Sequence, residues 1–173
     1  MKGDELRALQ GPLKDRYRSE AQAARITLQA EGRIGEGVSC RVETGKAVVE
    51  AGLHPATGGT GALACSGDML LEALVACAGV TLSAVATSLG IEVSEGKVRA
   101  EGELDFRGTL GVSKEVPVGF QVIRLHFDLV TAATPEQLAT LQRLTERYCV
   151  VYQTLRQPPA LNVSVSAAPP ASG

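Results

Sequence analysis

The chain contains six short stretches that are typical of β-strands, most of which alternate hydrophobic and polar residues. Such alternation predicts a strand with one buried face and one face in water. The clearest stretch is 97–108, in which Val98, Ala100 and Leu104 alternate with charged residues. The predicted strands are residues 25–31, 37–43, 46–52, 97–108, 122–130 and 160–166.

Two helical patterns lie in the first half of the chain. Residues 4–24 repeat apolar side chains at helical spacing, which predicts an N-terminal helical segment. Residues 68–90 are apolar on almost every side, with Asp68 as the expected N-cap and Gly90 as the expected helix stop. This second stretch is long enough for a membrane span. Glu72 and several hydroxyl residues in it favour a buried helix and no membrane partner.

A third helix has the strongest start signal in the sequence. The residues "TPEQ" place Thr134 at the N-cap, Pro135 at the first helical position and Gln137 at the third, which predicts a capping box. Cys149 follows Leu138 by 11 residues, close to three whole turns. We therefore expect one helix that carries Cys149 on its core side.

The order of these elements predicts an α+β fold with antiparallel sheets packed on two long helices. The core order is β-β-β-α-β-β-α-β, preceded by an N-terminal helical extension over 1–24. The main domain covers 25–166, and a disordered tail covers 167–173. A helix that is apolar all round needs cover on both sides. Because one small sheet covers one side, we expect a homodimer in which a second subunit covers the other.

Composition excludes several classes of function. The 173 residues carry a net charge of −2 and show no basic patch, so no nucleic-acid partner is expected. The charged N-terminus "MKGDELRALQ" has no apolar run typical of a secretory signal, which predicts a cytoplasmic protein. Four cysteines are present and none forms a CxxC pair, which argues against a zinc ribbon. His54, Cys65 and Cys77 have no metal-ligand spacing.

Cys77, in the middle of the apolar helix, has two interpretations. A buried cysteine most often behaves as a small hydrophobe. A reactive cysteine needs a nearby cation or hydrogen-bond donor and some access to solvent. A peroxide-reducing thiol also needs a second thiol to capture its sulfenic acid. Cys149 could be that partner, although the spacing alone leaves open whether the two sulfurs meet.

Several segments resemble the OsmC/Ohr family of osmotically inducible and organic-hydroperoxide-resistance proteins, in its longer OsmC-like branch. "SGDMLLEALVACAGVTL" is similar to the central-helix motif with its cysteine, and "ERYCVVYQTL" to the second-cysteine motif. "AEGRIGEGVSCRVETG" is similar to the N-terminal hairpin. The resemblance covers about residues 25–166 and implies an intertwined homodimer with thiol peroxidase activity.

The resemblance also implies roles for individual residues. Cys77 is the thiol that attacks the hydroperoxide, and Cys149 is the resolving thiol that closes a disulfide. Arg33, expected in the "EGRIGEG" turn, activates the first thiol, and Asp68 orients that arginine as a glutamate does in the family. Family members need no metal or organic cofactor for this step. They are recycled by a dithiol reductant, typically a lipoyl protein in the hydroperoxide-resistance branch.

The sequence departs from the family pattern in ways that leave alternatives open. Asp68 is one methylene shorter than glutamate, and Val150 stands where a proline often follows the second cysteine. Cys40 and Cys65 are extra; we expect a strand core residue and a loop thiol, with Cys65 as an alternative resolving thiol. The alternative function is a non-catalytic OsmC-like dimeric binding or scaffold protein, in which both helix cysteines are structural.

Overall fold

The computed structural model describes residues 49–111 and 113–167, the backbone of 31–34, 39–43 and 48, and positions 2–5, 8, 10–12 and 19. Of the early positions, 3–5, 8, 10–12 and 19 are helical. The other residues of the predicted N-terminal helix, and residues 25–30 of the first predicted strand, lie outside the described residues.

The first sheet has four strands in the order β1-β2-β3-β4. β1 pairs antiparallel with β2 and β2 with β3, and the short β4 runs parallel to β3. Arg33 lies in β1, opposite Arg41. Our placement of Arg33 in a turn was therefore wrong, because the residue belongs to the strand ladder. The strands are β1 (Glu31–Ile34), β2 (Ser39–Glu43), β3 (Val48–Gly52) and β4 (Ala64–Cys65), and a 3₁₀ turn at Pro55–Thr57 lies between β3 and β4.

The second sheet is an antiparallel hairpin of β5 (Glu95–Leu104) and β6 (Phe120–Val130). The predicted strand over 97–108 was wrong beyond Leu104, because the chain turns there into the short helix α2 (Phe106–Thr109). The carboxylate of Asp105 causes this turn, since it accepts a hydrogen bond from the Arg107 backbone N–H at 3.0 Å. An aspartate that caps in this way favours a helix start over a strand.

The long central helix α1 (Ser66–Leu89) begins earlier than the sequence suggested. Cys65 is its N-cap, so the expectation that Asp68 caps the helix was wrong. Asp68 lies instead in the first turn, where its negative charge still meets the partial positive charge of the helix terminus. The predicted stop is confirmed, because Gly90 adopts a left-handed conformation with φ of 70° that suits glycine.

The last two helices meet at Cys149. α3 (Pro135–Tyr148) begins with the predicted capping box: the Thr134 hydroxyl accepts from the Gln137 backbone, and the Gln137 side chain accepts from the Thr134 backbone. The prediction of a single helix that contains Cys149 was wrong, because α3 ends at Tyr148. Cys149 has an extended backbone (φ −72°, ψ 109°), and a separate helix, α4 (Val150–Arg156), begins directly after it.

The core lies where α1 packs against the β5–β6 hairpin and α3. Its buried cluster contains Leu82, Val85, Ala86, Ile91 and Leu141, with partly buried side chains of β6 packed on it. The opposite side of α1 is exposed to solvent and carries apolar side chains such as Val80, which is 72% exposed. α1 is also the one helix in the described residues that is long and apolar enough to cross a membrane, judged by length and composition alone.

The prediction of a strand at 160–166 was wrong, because the structure shows no strand at these residues. Residues 158–167 form no regular element, although they alternate apolar and polar side chains as a strand does. Leu161, Val163 and Val165 are 86%, 90% and 90% exposed, respectively. A strand needs a neighbouring strand to satisfy its backbone groups, and residues 160–166 pair with no strand that the structure describes.

Candidate functional site

The candidate site is the contact between α1 and the junction of α3 with α4. Cys77 is the twelfth of the 24 residues of α1 and is half-buried. Cys149, at the junction, is 1% exposed. The two side chains are neighbours, and a hydrogen bond between them is among the causes that lower the pKa of Cys77 and raise the pKa of Cys149. The two cysteines that the sequence singled out therefore meet.

The junction at Cys149 offers backbone donors to both sulfurs. The Cys149 N–H donates to the Thr145 carbonyl at 2.9 Å, and the Cys149 carbonyl accepts from the Gln153 N–H at 2.9 Å. The N–H groups of residues 150–152, at the start of α4, have no acceptor within their own helix. Those of Val150 and Val151 donate to the Cys77 sulfur.

The surroundings move the pKa values of the two thiols in opposite directions. Burial raises the pKa of Cys77, but the hydrogen bonds from Val151, Cys149 and Val150, with a smaller one from Thr81, outweigh it and leave the pKa lowered. Burial raises the pKa of Cys149, and its hydrogen bond and charge interaction with Cys77 raise it further. Donors to a thiolate favour the charged form, whereas a neighbouring thiolate disfavours a second negative charge. Of the two thiols, Cys77 is therefore the one that ionises more readily.

Sequence reasoning missed three of the groups that lower the pKa of the Cys77 thiol. Val150 and Val151 act through backbone N–H groups, which no residue type reveals. Thr81 was visible in the sequence, because it follows Cys77 by four residues and so lies one turn further along the same face. Its hydroxyl donates to the Cys77 carbonyl at 2.7 Å.

The structure does not bring Asp68 to the Cys77 sulfur. Asp68 is exposed and precedes Cys77 by nine residues, which places it about 13 Å away along the axis and half a turn round the helix. The side chain of Arg33 lies outside the described residues, as does that of Cys40. Cys65 is partly exposed at the N-cap of α1 and is separated from Cys77 by about three turns of helix.

A separate pocket of about 770 Å³ is lined by apolar and polar side chains of β6, α3 and α4, together with Leu74 and Leu82 of α1. Its walls include Phe127, Leu141 and Tyr152. Neither Cys77 nor Cys149 lines it. Among the described residues, no group of three or more His, Cys, Asp or Glu side chains could hold a metal ion.

Comparison with known proteins gives a consistent family and fold. The sequence model of a family described as "OsmC-like protein" matches residues 59–164, more than half of the chain. No curated protein matches the sequence significantly.

Solved structures resemble the fold at low sequence identity. An OsmC-like protein from Mycoplasma pneumoniae is 16% identical with a TM-score of 0.64, and the match covers 77% of this chain and 89% of that one. An organic hydroperoxide resistance protein from Elizabethkingia anophelis is 17% identical with a TM-score of 0.61, covering 78% and 92%. The organic hydroperoxide resistance protein OhrB of Bacillus subtilis is 19% identical with a TM-score of 0.51, covering 77% and 93%.

Proposed function

The chain belongs to the OsmC-like family, and from this premise we propose that it is a thiol-dependent peroxidase that reduces organic hydroperoxides. The observation that carries the proposal is the hydrogen bond between Cys77 and Cys149, with the pKa of the first thiol lowered and that of the second raised. Two solved relatives of similar fold are themselves called organic hydroperoxide resistance proteins.

In the first step the Cys77 thiolate attacks one oxygen of the hydroperoxide. The S–O bond forms as the O–O bond breaks, so that sulfur is oxidised to sulfenic acid and the alkoxide leaves and takes a proton to become the alcohol. Cys77 suits this step because it is partly accessible and its thiolate is stabilised by donors. Cys149 is almost fully buried and suits the second role.

In the second step the Cys149 sulfur attacks the sulfenic sulfur of Cys77. A disulfide forms and the hydroxyl leaves as water after taking the proton of Cys149. Because the two side chains are already in hydrogen-bond contact, this step needs little rearrangement. A dithiol reductant, such as a lipoyl protein, then exchanges with the disulfide, becomes oxidised itself and returns both thiols. No metal or organic cofactor takes part in this cycle.

Arg33 is the cation that we assign to the site, and Asp68 is the carboxylate that orients it. A guanidinium beside Cys77 favours the thiolate by its charge and donates to the departing alkoxide. Since Asp68 lies on the far side of α1 from Cys77, its effect on the sulfur acts through Arg33. We place the reaction in the cytoplasm, where the thiol pool keeps such cysteines reduced.

The enzyme that we propose is a homodimer. The outer side of α1 exposes apolar side chains that include Leu70 at 39% and Val80 at 72%, and such a patch marks a contact surface. The unpaired segment 160–166 offers a second contact, because its alternating pattern suits addition to a free strand edge of another copy. Burial of both surfaces in a dimer would explain why the described residues of one chain leave them exposed.

Titration of reduced protein with cumene hydroperoxide tests the peroxidase. One equivalent should consume two of the four thiols and produce cumyl alcohol, and peptide mass spectrometry should find Cys77 linked to Cys149. Cys149→Ser should stall as sulfenic acid at Cys77, which dimedone traps. Cys65→Ser is the matched control, and it should still form the disulfide because Cys65 lies far from Cys77 along α1.

Four unreacted thiols after the same treatment would overturn the peroxidase and leave the non-catalytic binding protein as the function. A disulfide between Cys77 and Cys65 would instead retain the peroxidase and remove Cys149 from the resolving role.

A further inference from the structure

The two sulfurs of the candidate site differ in how far a molecule in solution can reach them. Cys149 is 1% exposed, and it ends a row of equally buried residues on one face of α3, where Leu141 and Thr145 are also 1% exposed. The pocket beside α3 and α4 does not open onto it, because Glu146 and Tyr152 line that pocket and Cys149 does not. Reagents in solution therefore do not reach the Cys149 sulfur in this structure.

Backbone hydrogen bonds hold Cys149 in this buried place. Its N–H donates to the Thr145 carbonyl at 2.9 Å, and its carbonyl accepts from the Gln153 N–H at 2.9 Å. The Gln153 side-chain amide also donates to the Glu146 carbonyl at 2.7 Å and so spans the junction of α3 and α4. These bonds would have to break before Cys149 met solvent. A second copy of the chain can only lower its exposed fraction further.

Cys77 is the sulfur that a reagent can reach. It is half-buried, and two small side chains near it on α1, Ala73 and Ala76, are exposed. Side chains of a helix point back toward its N-terminus, so the Cys77 sulfur lies over the turn that carries Ala73. A methyl group at that position leaves room beside the sulfur. The proposed peroxidase needs the same opening, since the hydroperoxide must meet Cys77.

We propose that the dithiol reductant uses the opening of the hydroperoxide and attacks the Cys77 sulfur of the disulfide, with Cys149 as the leaving thiol. The inference rests on the proposed function, whose disulfide is its starting point. A thiolate of the reductant bonds to the Cys77 sulfur as the Cys77–Cys149 bond breaks, and Cys149 leaves and takes a proton. The second thiol of the reductant then attacks the reductant sulfur of this mixed disulfide. The reductant is oxidised to its own disulfide, and Cys77 leaves as a thiolate.

The chemistry of the leaving group favours the opposite direction of attack. Attack at Cys149 would expel Cys77, which ionises more readily and is the better leaving group. Access decides between the two, because the leaving group changes the rate only once the nucleophile has met the sulfur. Cys77 therefore deals with both substrates in turn, and Cys149 meets only Cys77.

The test begins with full-length protein that diamide has oxidised to the Cys77–Cys149 disulfide without any peroxide. Excess glutathione, a monothiol, is then added, the reaction is stopped with acid at successive times, and peptide mass spectrometry locates the mixed disulfide. Glutathione should be found on Cys77 at least about tenfold more often than on Cys149.

Ala73→Leu tests the opening itself, because it places a larger side chain beside the Cys77 sulfur and leaves the junction of α3 and α4 unchanged. It should slow reduction of the disulfide by glutathione several-fold. Ser88→Leu is the matched control: it adds the same side chain at an exposed position on the same face of α1, about 16 Å further along the axis. Its rate of reduction should match the wild type.

Glutathione on Cys149, or in equal amounts on both cysteines, overturns the proposal, as does unchanged reduction in Ala73→Leu. If Ala73→Leu does not fold by circular dichroism, the position of glutathione in the wild type decides alone. Failure of diamide to join Cys77 to Cys149 overturns both this inference and the resolving role of Cys149. Attack at Cys77 in a protein that ignores cumene hydroperoxide would keep the inference and reject the peroxidase.

Discussion

Val150→Pro tests whether backbone donors stabilise the Cys77 thiolate. Proline lacks an N–H, so the substitution removes one of the donors to the sulfur. The helix should tolerate it, because Val150 is the first residue of α4, where the N–H has no helical acceptor and proline is favoured. Cys149 already has the extended backbone that a residue before proline prefers. The Val150 side chain is 69% exposed, so little packing is lost.

The expected effect follows from the worth of one hydrogen bond to a charged group. Such a bond contributes about 1.5–3 kcal/mol. Because Cys77 is half-buried and keeps other donors, we take the lower end of that range. One pKa unit corresponds to about 1.4 kcal/mol. Val150→Pro should therefore raise the pKa of Cys77 by about one unit and lower the thiolate fraction about tenfold at pH values below the pKa.

The pH dependence has a definite sign. The pKa of Cys77 is lowered in the folded protein, so its reactivity should persist below the usual thiol range and be lost as pH falls through the folded pKa. Alkylation of Cys77 by iodoacetamide across pH, read by peptide mass spectrometry, measures the shift. Val150→Ala keeps the N–H and should follow the wild-type profile. A Val150→Pro profile that overlays Val150→Ala would refute the role of this donor.

Three further predictions concern other parts of the molecule. Arg33→Ala should raise the pKa of Cys77 and slow its oxidation by cumene hydroperoxide in stopped-flow measurements; unchanged kinetics would remove Arg33 from the site. Val80→Glu places a charge on the exposed apolar side of α1 and should dissociate the dimer. A wild-type protein that sediments as a folded monomer at low micromolar concentration would contradict the dimer itself. Thr134→Ala removes a capping box and should lower the free energy of unfolding by about 1 kcal/mol in urea, with Thr134→Ser close to wild type.

The elements that the sequence predicted best are those with local causes. The start of α3 follows from Thr134, Pro135 and Gln137, three neighbouring residues whose side chains and backbone satisfy one another. The end of α1 follows from Gly90 alone, since glycine adopts a left-handed backbone at low cost. Such features need no knowledge of the rest of the molecule.

The elements that the sequence predicted wrongly depend on contacts that no local pattern contains. Residues 160–166 have the alternation of a strand, yet a strand forms only beside another, and none of the strands that the structure describes lies beside them. The hydrogen bond between Cys77 and Cys149 joins residues 72 positions apart and depends on how α1 packs against α4. The sequence could nominate both cysteines, but their meeting is a result of packing.

The break between α3 and α4 explains how a sulfur in the middle of an apolar helix becomes reactive. Cys77 is about 17 Å from the first residue of α1 by helical rise, too far for the helix terminus to favour its charge. The donors must therefore come from another element. In one continuous helix from Pro135 to Arg156, the N–H groups of residues 150–152 would bond to the carbonyls of residues 146–148.

The extended backbone of Cys149 releases those three N–H groups, and two of them donate to the Cys77 sulfur. The break also releases the carbonyl of Glu146, which accepts from the Gln153 side-chain amide at 2.7 Å. A carbonyl left without a donor would make the break costly. Gln153 therefore stabilises the break, and the break supplies the donors that separate the pKa values of the two thiols.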